Sequence, residues 1–280
     1  MKHSYYYKNT FSRFIEVKGK DSSNFLQGLI TNDINKCQNN NNMIYSCLLS
    51  PNGKFLADFF IFYHKSSYII EIDNKYYDTI TSKLEMYKLR SEVIFQENKK
   101  LIALTISDDS EHCIKNAIIK VKDPRNSNLG IKVYINKNLL NFKCLSELEE
   151  LDYNNYREIL MENLIPYTPE DLIEGKSLLL ENNFQNINSI DWEKGCYVGQ
   201  EITARMKYRS LLKKKLYVVK LMSGQIKVND DIIIEGLNIG KVISKTNKYL
   251  LCMLKINLLE KIKFEKNEIQ VNSEISLKFL

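Results

Sequence analysis

Eight consecutive residues, Lys194-Gly195-Cys196-Tyr197-Val198-Gly199-Gln200-Glu201, gather a cation, a thiol, an aromatic ring, an amide and a carboxylate. A thiol near a cation or a helix start is favoured as thiolate, the form that attacks electrophiles and binds soft metals. Lys194 and Arg205 are the nearest cations along the chain, and the pattern after Gly199 reads as a helix start. Gly195 and Gly199 permit backbone shapes closed to other residues and let a ligand approach closely. Gln200 donates and accepts while Glu201 only accepts, a pair suited to the edge of a flat heterocycle. The same residues also suit a packed turn around a buried, inert Cys196. Chemistry alone leaves both readings open.

Other residues stand out less sharply. Asp58 interrupts an apolar run, Phe55-Leu56-Ala57 before it and Phe59-Phe60-Ile61-Phe62 after it. A carboxylate there is costly unless it is paired, functional or turned to solvent. Thr31-Asn32-Asp33 suits a helix cap or a cleft wall. Arg90 and Arg157 could each clamp a carboxylate bidentately. Lys213-Lys214-Lys215, with Arg205, Lys207 and Arg209 upstream, is a solvated basic face or a contact for an anionic chain.

Composition removes several classes. With 280 residues and 44% hydrophobic content the chain builds a sizeable core without staples. The net charge of +6 is mild for this length. Six cysteines (Cys37, Cys47, Cys113, Cys144, Cys196, Cys252) and three histidines are scattered, with no zinc-finger or cluster-binding spacing, so no resident metal site is expected. No window reaches the length of a membrane helix. Scattered thiols and the absence of a leader pattern in Met1–Val17 give the expectation of a reducing, cytoplasmic location.

The elements that must position these groups follow from periodicity. Strands are expected at Phe14–Val17, Met43–Leu49, Phe55–Tyr63, Tyr68–Ile72, Val93–Gln96, Leu101–Ile106 and Ile131–Ile135. Pro51-Asn52-Gly53-Lys54 is a tight turn joining two of them. Helices are expected at Ser23–Leu29, Asn74–Leu89, Glu111–Ile118 and Ser146–Asn163. Tyr5-Tyr6-Tyr7 reads as packing or a loose end. After Leu211 short alternating strands predict a small β-barrel. The fold class is α+β, with split β-α-β units.

The motifs together resemble the YgfZ family of folate-binding proteins, relatives of the glycine cleavage aminomethyltransferase. Lys194–Glu201 is similar to the family's K-G-C-Y-x-G-Q-E. Phe25-Leu26-Gln27-Gly28-Leu29-Ile30-Thr31-Asn32-Asp33 resembles its F-L-Q-G-x-x-T-N-D, and Pro51–Asp58 its turn and strand. Tyr87-Lys88-Leu89-Arg90-Ser91 resembles its Y-x-L-R-S, and Ile165-Pro166 the end of its G-I-P. Leu164 replaces the glycine of that last motif. Ala57-Asp58 keeps only one of the two acids of the transferase, which puts transferase chemistry in doubt.

The resemblance implies interleaved ferredoxin-like folate-binding parts followed by a C-terminal β-barrel. The expected divisions are 1–145, 146–210 and 211–280. It implies a tetrahydrofolate or folate-derivative ligand held by Asn32, Asp33, Arg90, Glu162, Lys194, Tyr197, Gln200, Glu201 and Arg205, with Cys196 and Asp58 as catalytic candidates. Glu162 takes the position of the acid that reads the pterin. The function implied is support of iron–sulfur cluster assembly or repair, including clusters of tRNA-modifying enzymes. Partners are cluster enzymes or carriers, without a membrane and without direct nucleic-acid binding. The alternatives are a folate-dependent aminomethyl or methyl transferase and a non-catalytic RNA or protein scaffold.

Overall fold

A computed structural model describes every residue except 1–3, 39–41, 109, 111–113, 141–144, 210, 263–267 and 272–273. Strand β1 (Tyr5–Lys8) opens a first sheet, and the chain then leaves it. β2 (Ser12–Lys18), helix α1 (Ser22–Gln27), β3 (Met43–Leu49), β4 (Phe55–His64), β5 (Ser67–Asp73), α2 (Tyr77–Lys88) and β6 (Ile94–Glu97) follow. Their strands form an antiparallel sheet of order β3-β4-β5-β2-β6. The chain then returns through β7 (Leu101–Ile106), β8 (Ile119–Lys122), β9 (Ile131–Asn136) and β10 (Glu149–Glu150), giving β10-β1-β7-β9-β8. The two sheets are thus interleaved in sequence.

Every residue of β3 is buried, as are all but Asp58, Tyr63 and His64 of β4. A strand covered on both faces reads as a continuous apolar run. That is why the sequence around Asp58 shows no alternation. One core runs from this sheet into the later segment through Tyr156, Leu160, Phe184, Tyr197 and Met206.

Helix α3 (Tyr153–Glu162), the single turn α4 (Thr168–Asp171) and α5 (Gln200–Tyr208) lead to the last sheet. That sheet contains β11 (Lys214–Ser223), β12 (Asp231–Ile234), β13 (Leu237–Lys245), β14 (Tyr249–Lys255), β15 (Glu268–Gln270) and β16 (Ser276–Phe279). Its order, β12-β13-β14-β11-β16-β15, leaves β12 and β15 at opposite ends among the described residues. It is a half-barrel where a barrel was expected.

Two further expectations are corrected. The helix expected from Ser146 starts only at Tyr153, because the Asp152 carboxylate accepts from the Asn155 N–H at 2.7 Å and caps it. The residues before it instead pair in parallel with β1, Tyr5 against Glu149. The Tyr5–Tyr7 run is therefore a strand, and Tyr7 stacks on Tyr156 at 4.0 Å. The helix expected at Glu111–Ile118 falls partly outside the described residues, and 114–118 are not helical.

Arg157 joins these parts. Its buried guanidinium donates to Asp171 at 2.9 Å, to Ser244 of β13 at 3.1 Å, and to Glu170. Beside it, Met161 packs with Leu216, Val218 and Leu251 of the half-barrel. Removing the cation leaves the Asp171 carboxylate buried and unpaired. The Arg157→Leu variant is expected to lose about 3 kcal/mol of unfolding free energy. Urea titration checks this, and a loss below about 1 kcal/mol would contradict it.

Candidate functional site

The signature loop begins with a turn set by Asp191. Its carboxylate accepts from the main-chain N–H of Glu193 (2.7 Å) and Lys194 (3.1 Å) and pairs with Lys36 at 2.6 Å. The turn aims Lys194 inward. Its ammonium donates to the main-chain carbonyls of Gln27 (2.8 Å), Ile30 (2.6 Å) and Asn32 (2.9 Å). These carbonyls lie at and beyond the C-terminal end of α1, where helices leave acceptors unpaired and where cations are favoured. Burial pushes the Lys194 pKa down to about 8. Three ammonium donors meet three acceptors, so the side chain acts as a clamp.

A second anchor follows at once. Tyr197 turns back into the core, and the Val198 N–H donates to the Gly28 carbonyl at 3.1 Å. Gly199 has φ +81°, and a Cβ there would lie 2.4 Å from the Ser50 carbonyl oxygen. It packs against Gly53 of the Ser50–Lys54 turn, where a Cβ would meet Ile202 at 2.8 Å. The two sequence motifs, far apart in the chain, are therefore one contact. At Gly195 a Cβ would meet nothing within 4 Å, so the fold does not require that glycine sterically.

Cys196 sits at the apex between the anchors, exposed, while Cys37, Cys47 and Cys252 are buried. Cys113 and Cys144 lie outside the described residues. The reading of Cys196 as a buried, inert turn residue is thus corrected. The cations expected to activate it are otherwise committed: Lys194 to carbonyls, and Arg205 to Glu201 at 2.5 Å. Gln200 and Glu201 open α5. Asn32 and Asp33 serve the fold: the Asn32 amide donates to the Tyr45 (2.9 Å) and Asn188 (2.7 Å) carbonyls, and Asp33 caps the turn at Ile34–Cys37.

Sequence reasoning passed over an exposed patch that α5 shares with Trp192. The Lys207 ammonium lies 3.8 Å from the centroid of Trp192, and Tyr208 meets the same indole edge to face. Tyr208 is 69% exposed, and Ile202 and Leu211 are also exposed. The available signal was the chain's single Trp, four residues before the cysteine.

Asp58 is elsewhere, in a cavity between the two interleaved sheets. Its carboxylate accepts from the Tyr45 hydroxyl at 2.6 Å and from Thr168. Arg125 is held by Asp123 at 3.0 and 2.8 Å and donates to the Tyr156 hydroxyl at 3.2 Å. Lys132 pairs with Glu71 at 2.8 Å and covers the Phe60 ring at 3.7 Å. Ser12 and Tyr134 also donate to Glu71, and Tyr167 to Asp73. Burial raises the pKa of both Asp58 and Asp73. The free volume left is ≈ 60 Å³, against roughly 300 Å³ or more for a small-molecule pocket. A pterin does not fit these residues as they are arranged.

The residues expected to share one ligand are therefore split, with the loop in one place and Asp58 in another. Glu162 lies outside both, exposed and accepting from the Tyr249 hydroxyl at 2.9 Å. On α3 it is Tyr156 and Leu160, one turn apart, that face the cavity. Arg90 stands apart as well, in a shallow depression with Asp21 at the end of α2. Among the described residues no group of three or more His, Cys, Asp or Glu side chains is placed to hold a metal. The clamp gives a direct expectation. The Lys194→Met variant strands three carbonyls and is expected to lose about 3 kcal/mol of stability in urea titration, with faster amide exchange at Gly28–Asn32. Unchanged stability would show that the ammonium is dispensable.

No family model matches the chain. Curated relatives do. The mitochondrial iron–sulfur cluster assembly factor IBA57 homologue of Dictyostelium discoideum is 28% identical over 262 residues, covering 79% of this chain and 64% of that protein. The Neurospora crassa homologue is 31% identical over 230 residues, 75% of this chain and 52% of that protein. The human IBA57 factor is 25% identical over 230 residues, 74% and 64%. This chain thus spans between about half and just under two-thirds of these relatives' lengths. Aminomethyltransferase T of the glycine cleavage system from Bartonella henselae superposes with a TM-score of 0.76 over 99% of this chain and 85% of its own, at 13% identity. The cytoplasmic expectation is overturned, because these relatives are mitochondrial by name. The expected YgfZ-type resemblance resolves toward its IBA57 branch: the chain is similar in sequence to the IBA57 iron–sulfur cluster assembly factors and has the aminomethyltransferase fold.

Proposed function

We propose that this chain supports the assembly of iron–sulfur clusters in mitochondria, with the Lys194–Glu201 loop as its working surface and the Cys196 thiol as the group that meets the cluster. The observation carrying this reading is the exposed thiol at the apex of a loop anchored on both sides. A thiolate is a soft ligand suited to iron. The cluster is cargo, and one cysteine holds it only together with ligands from a second protein. A cluster carrier or recipient enzyme is the fitting partner, docking over Trp192, Ile202, Tyr208 and Leu211, with Lys207 favouring an acidic rim. Cluster-dependent tRNA-modifying enzymes are among the recipients this reading covers.

A folate-dependent transferase is less well supported. Both oxygens of Asp58 are engaged, and ≈ 60 Å³ leaves no room for the reacting partners. Tetrahydrofolate is accordingly left out of the working reading.

Two outcomes follow. In cells depleted of their own IBA57 factor, the wild-type chain restores a cluster-dependent mitochondrial enzyme and a cluster-dependent tRNA modification, whereas Cys196→Ala does not. The exposed side chain makes Cys196→Ala fold normally, within about 0.5 kcal/mol of wild type; full rescue by it would remove the thiol from the mechanism. In calorimetry, 5-formyl-tetrahydrofolate gives no saturable heat with the wild-type chain. Saturable binding that Asp58→Asn abolishes would reinstate the folate cavity.

A further inference from the structure

Helix α2 ends at Lys88, and Leu89 follows it with φ +46° and ψ −110°. The Ser91 N–H donates back to the Lys88 carbonyl at 2.8 Å. These are the marks of a type II′ turn with Leu89 at the position that glycine favours. A leucine there carries backbone strain that a glycine would not, and such strain gathers at sites of function. The side chain gains no burial in return, since Leu89 is 88% exposed.

The turn is fixed by the segment that leads into α1. The Glu92 N–H donates to the Asp21 carboxylate at 2.7 Å, and the Glu92 side chain pairs with Lys20 at 2.5 Å. The Glu92 carbonyl oxygen lies so near Gly19 that a Cβ there would stand 2.0 Å from it. Leu89, Arg90 and Ser91 share a shallow depression with Asp21. Among the described residues Arg90 makes no hydrogen bond and no ion pair. The turn therefore holds out one apolar side chain beside one uncommitted cation.

Helix α1 joins this turn to the thiol loop. Asp21 stands at its start, and Asn24 and Gly28 continue the same face at helical spacing, both exposed. The helix is about 9 Å long. At its far end the Gln27 and Gly28 carbonyls accept from Lys194 and Val198, which stand two residues before and two after Cys196. Gly28 has φ −77°, and a Cβ there would meet nothing nearer than 3.8 Å, so the strip stays bare where the fold has room for a side chain. We propose that this turn is a docking point for the cluster-carrying protein that meets the thiol loop. Leu89 enters an apolar pocket of that protein, and Arg90 pairs with a carboxylate at the pocket's edge. The proposal rests on the reading of Cys196 given above. A side chain held out on a fixed turn needs little ordering on association. A protein suits the turn better than a lipid surface, because Glu85, one helical turn earlier, and Glu92 are exposed and would face anionic headgroups.

The probe is a soluble carrier protein loaded with a [2Fe–2S] cluster, titrated anaerobically with the full chain. Sedimentation velocity reads docking, and visible circular dichroism reads cluster contact. Leu89→Gly removes the side chain and relieves the turn. It is expected to melt about 2 °C above wild type yet to dock about tenfold more weakly. A residue that served only the fold would not move these two readouts in opposite senses. Arg90→Ala is expected to dock about threefold more weakly at low salt and to lose part of the salt dependence. Both variants are expected to reach the wild-type dichroism at saturation, whereas Cys196→Ser docks without it. Wild-type docking by folded Leu89→Gly and Arg90→Ala would overturn the proposal and leave the thiol reading standing. Weakened docking by both, with full dichroism from Cys196→Ser, would sink the thiol reading and keep the docking point. No docking by the wild-type chain would overturn both. Flotation with anionic vesicles that Leu89→Gly abolishes, with carrier docking unchanged, would assign the turn to a lipid surface instead.

Discussion

The Lys194 ammonium and the three carbonyls around it are the contact on which the loop's geometry depends. A buried cation without partners is costly, and so are helix-end carbonyls without donors. Here each removes the other's penalty, at 2.6–2.9 Å. The bond set also fixes position. With Lys194 drawn inward and Tyr197 buried, the two residues between them have nowhere to go but out. Cys196 is exposed because its neighbours are not.

The rest of the fold serves that placement. Gly199 and Gly53 allow the loop and the Ser50–Lys54 turn to touch backbone to backbone, and the turn joins two strands that are buried where they adjoin it, at Leu48–Leu49 and Phe55–Ala57. Asn32 ties the same region to Tyr45 and Asn188. Arg157 secures the half-barrel to α3 and α4. The cavity that the fold encloses is filled by ion pairs and hydroxyls, with Arg125 on Asp123 and Lys132 on Glu71. A scaffold shared with an aminomethyltransferase thus presents its conspicuous chemistry on an outer loop, while the enclosed centre works as a polar core.

Much of this was legible in the sequence and some was not, for physical reasons. The strands Met43–Leu49 and Leu101–Ile106 run between the expected residues because their apolar runs are continuous and end at turn-forming or charged residues. The signature was visible because several uncommon residue types crowd into it. What it does locally was not, since Lys194 bonds to main-chain carbonyls that carry no residue identity. Arg125 and Lys132 carry no local signal of burial, and only the return of the chain to the first sheet buries them against Phe60. Glu162 follows Leu160 by two residues on α3, which turns it away from the cavity and toward Tyr249. The partial helix at Ser146 was lost to pairing with β1, a long-range competitor that local pattern cannot register. The cytoplasmic expectation was overturned by the relatives' names, not by any residue.

Visible circular dichroism of an anaerobic mixture tests the central claim most directly. A carrier protein loaded with a [2Fe–2S] cluster is mixed with the reduced wild-type chain and, separately, with Cys196→Ser. Cluster contact through the thiol predicts a new visible signal that saturates at one chain per cluster with wild type and is absent with Cys196→Ser. An identical signal from both chains would contradict it, and would move the cluster contact away from the loop that Lys194 holds in place.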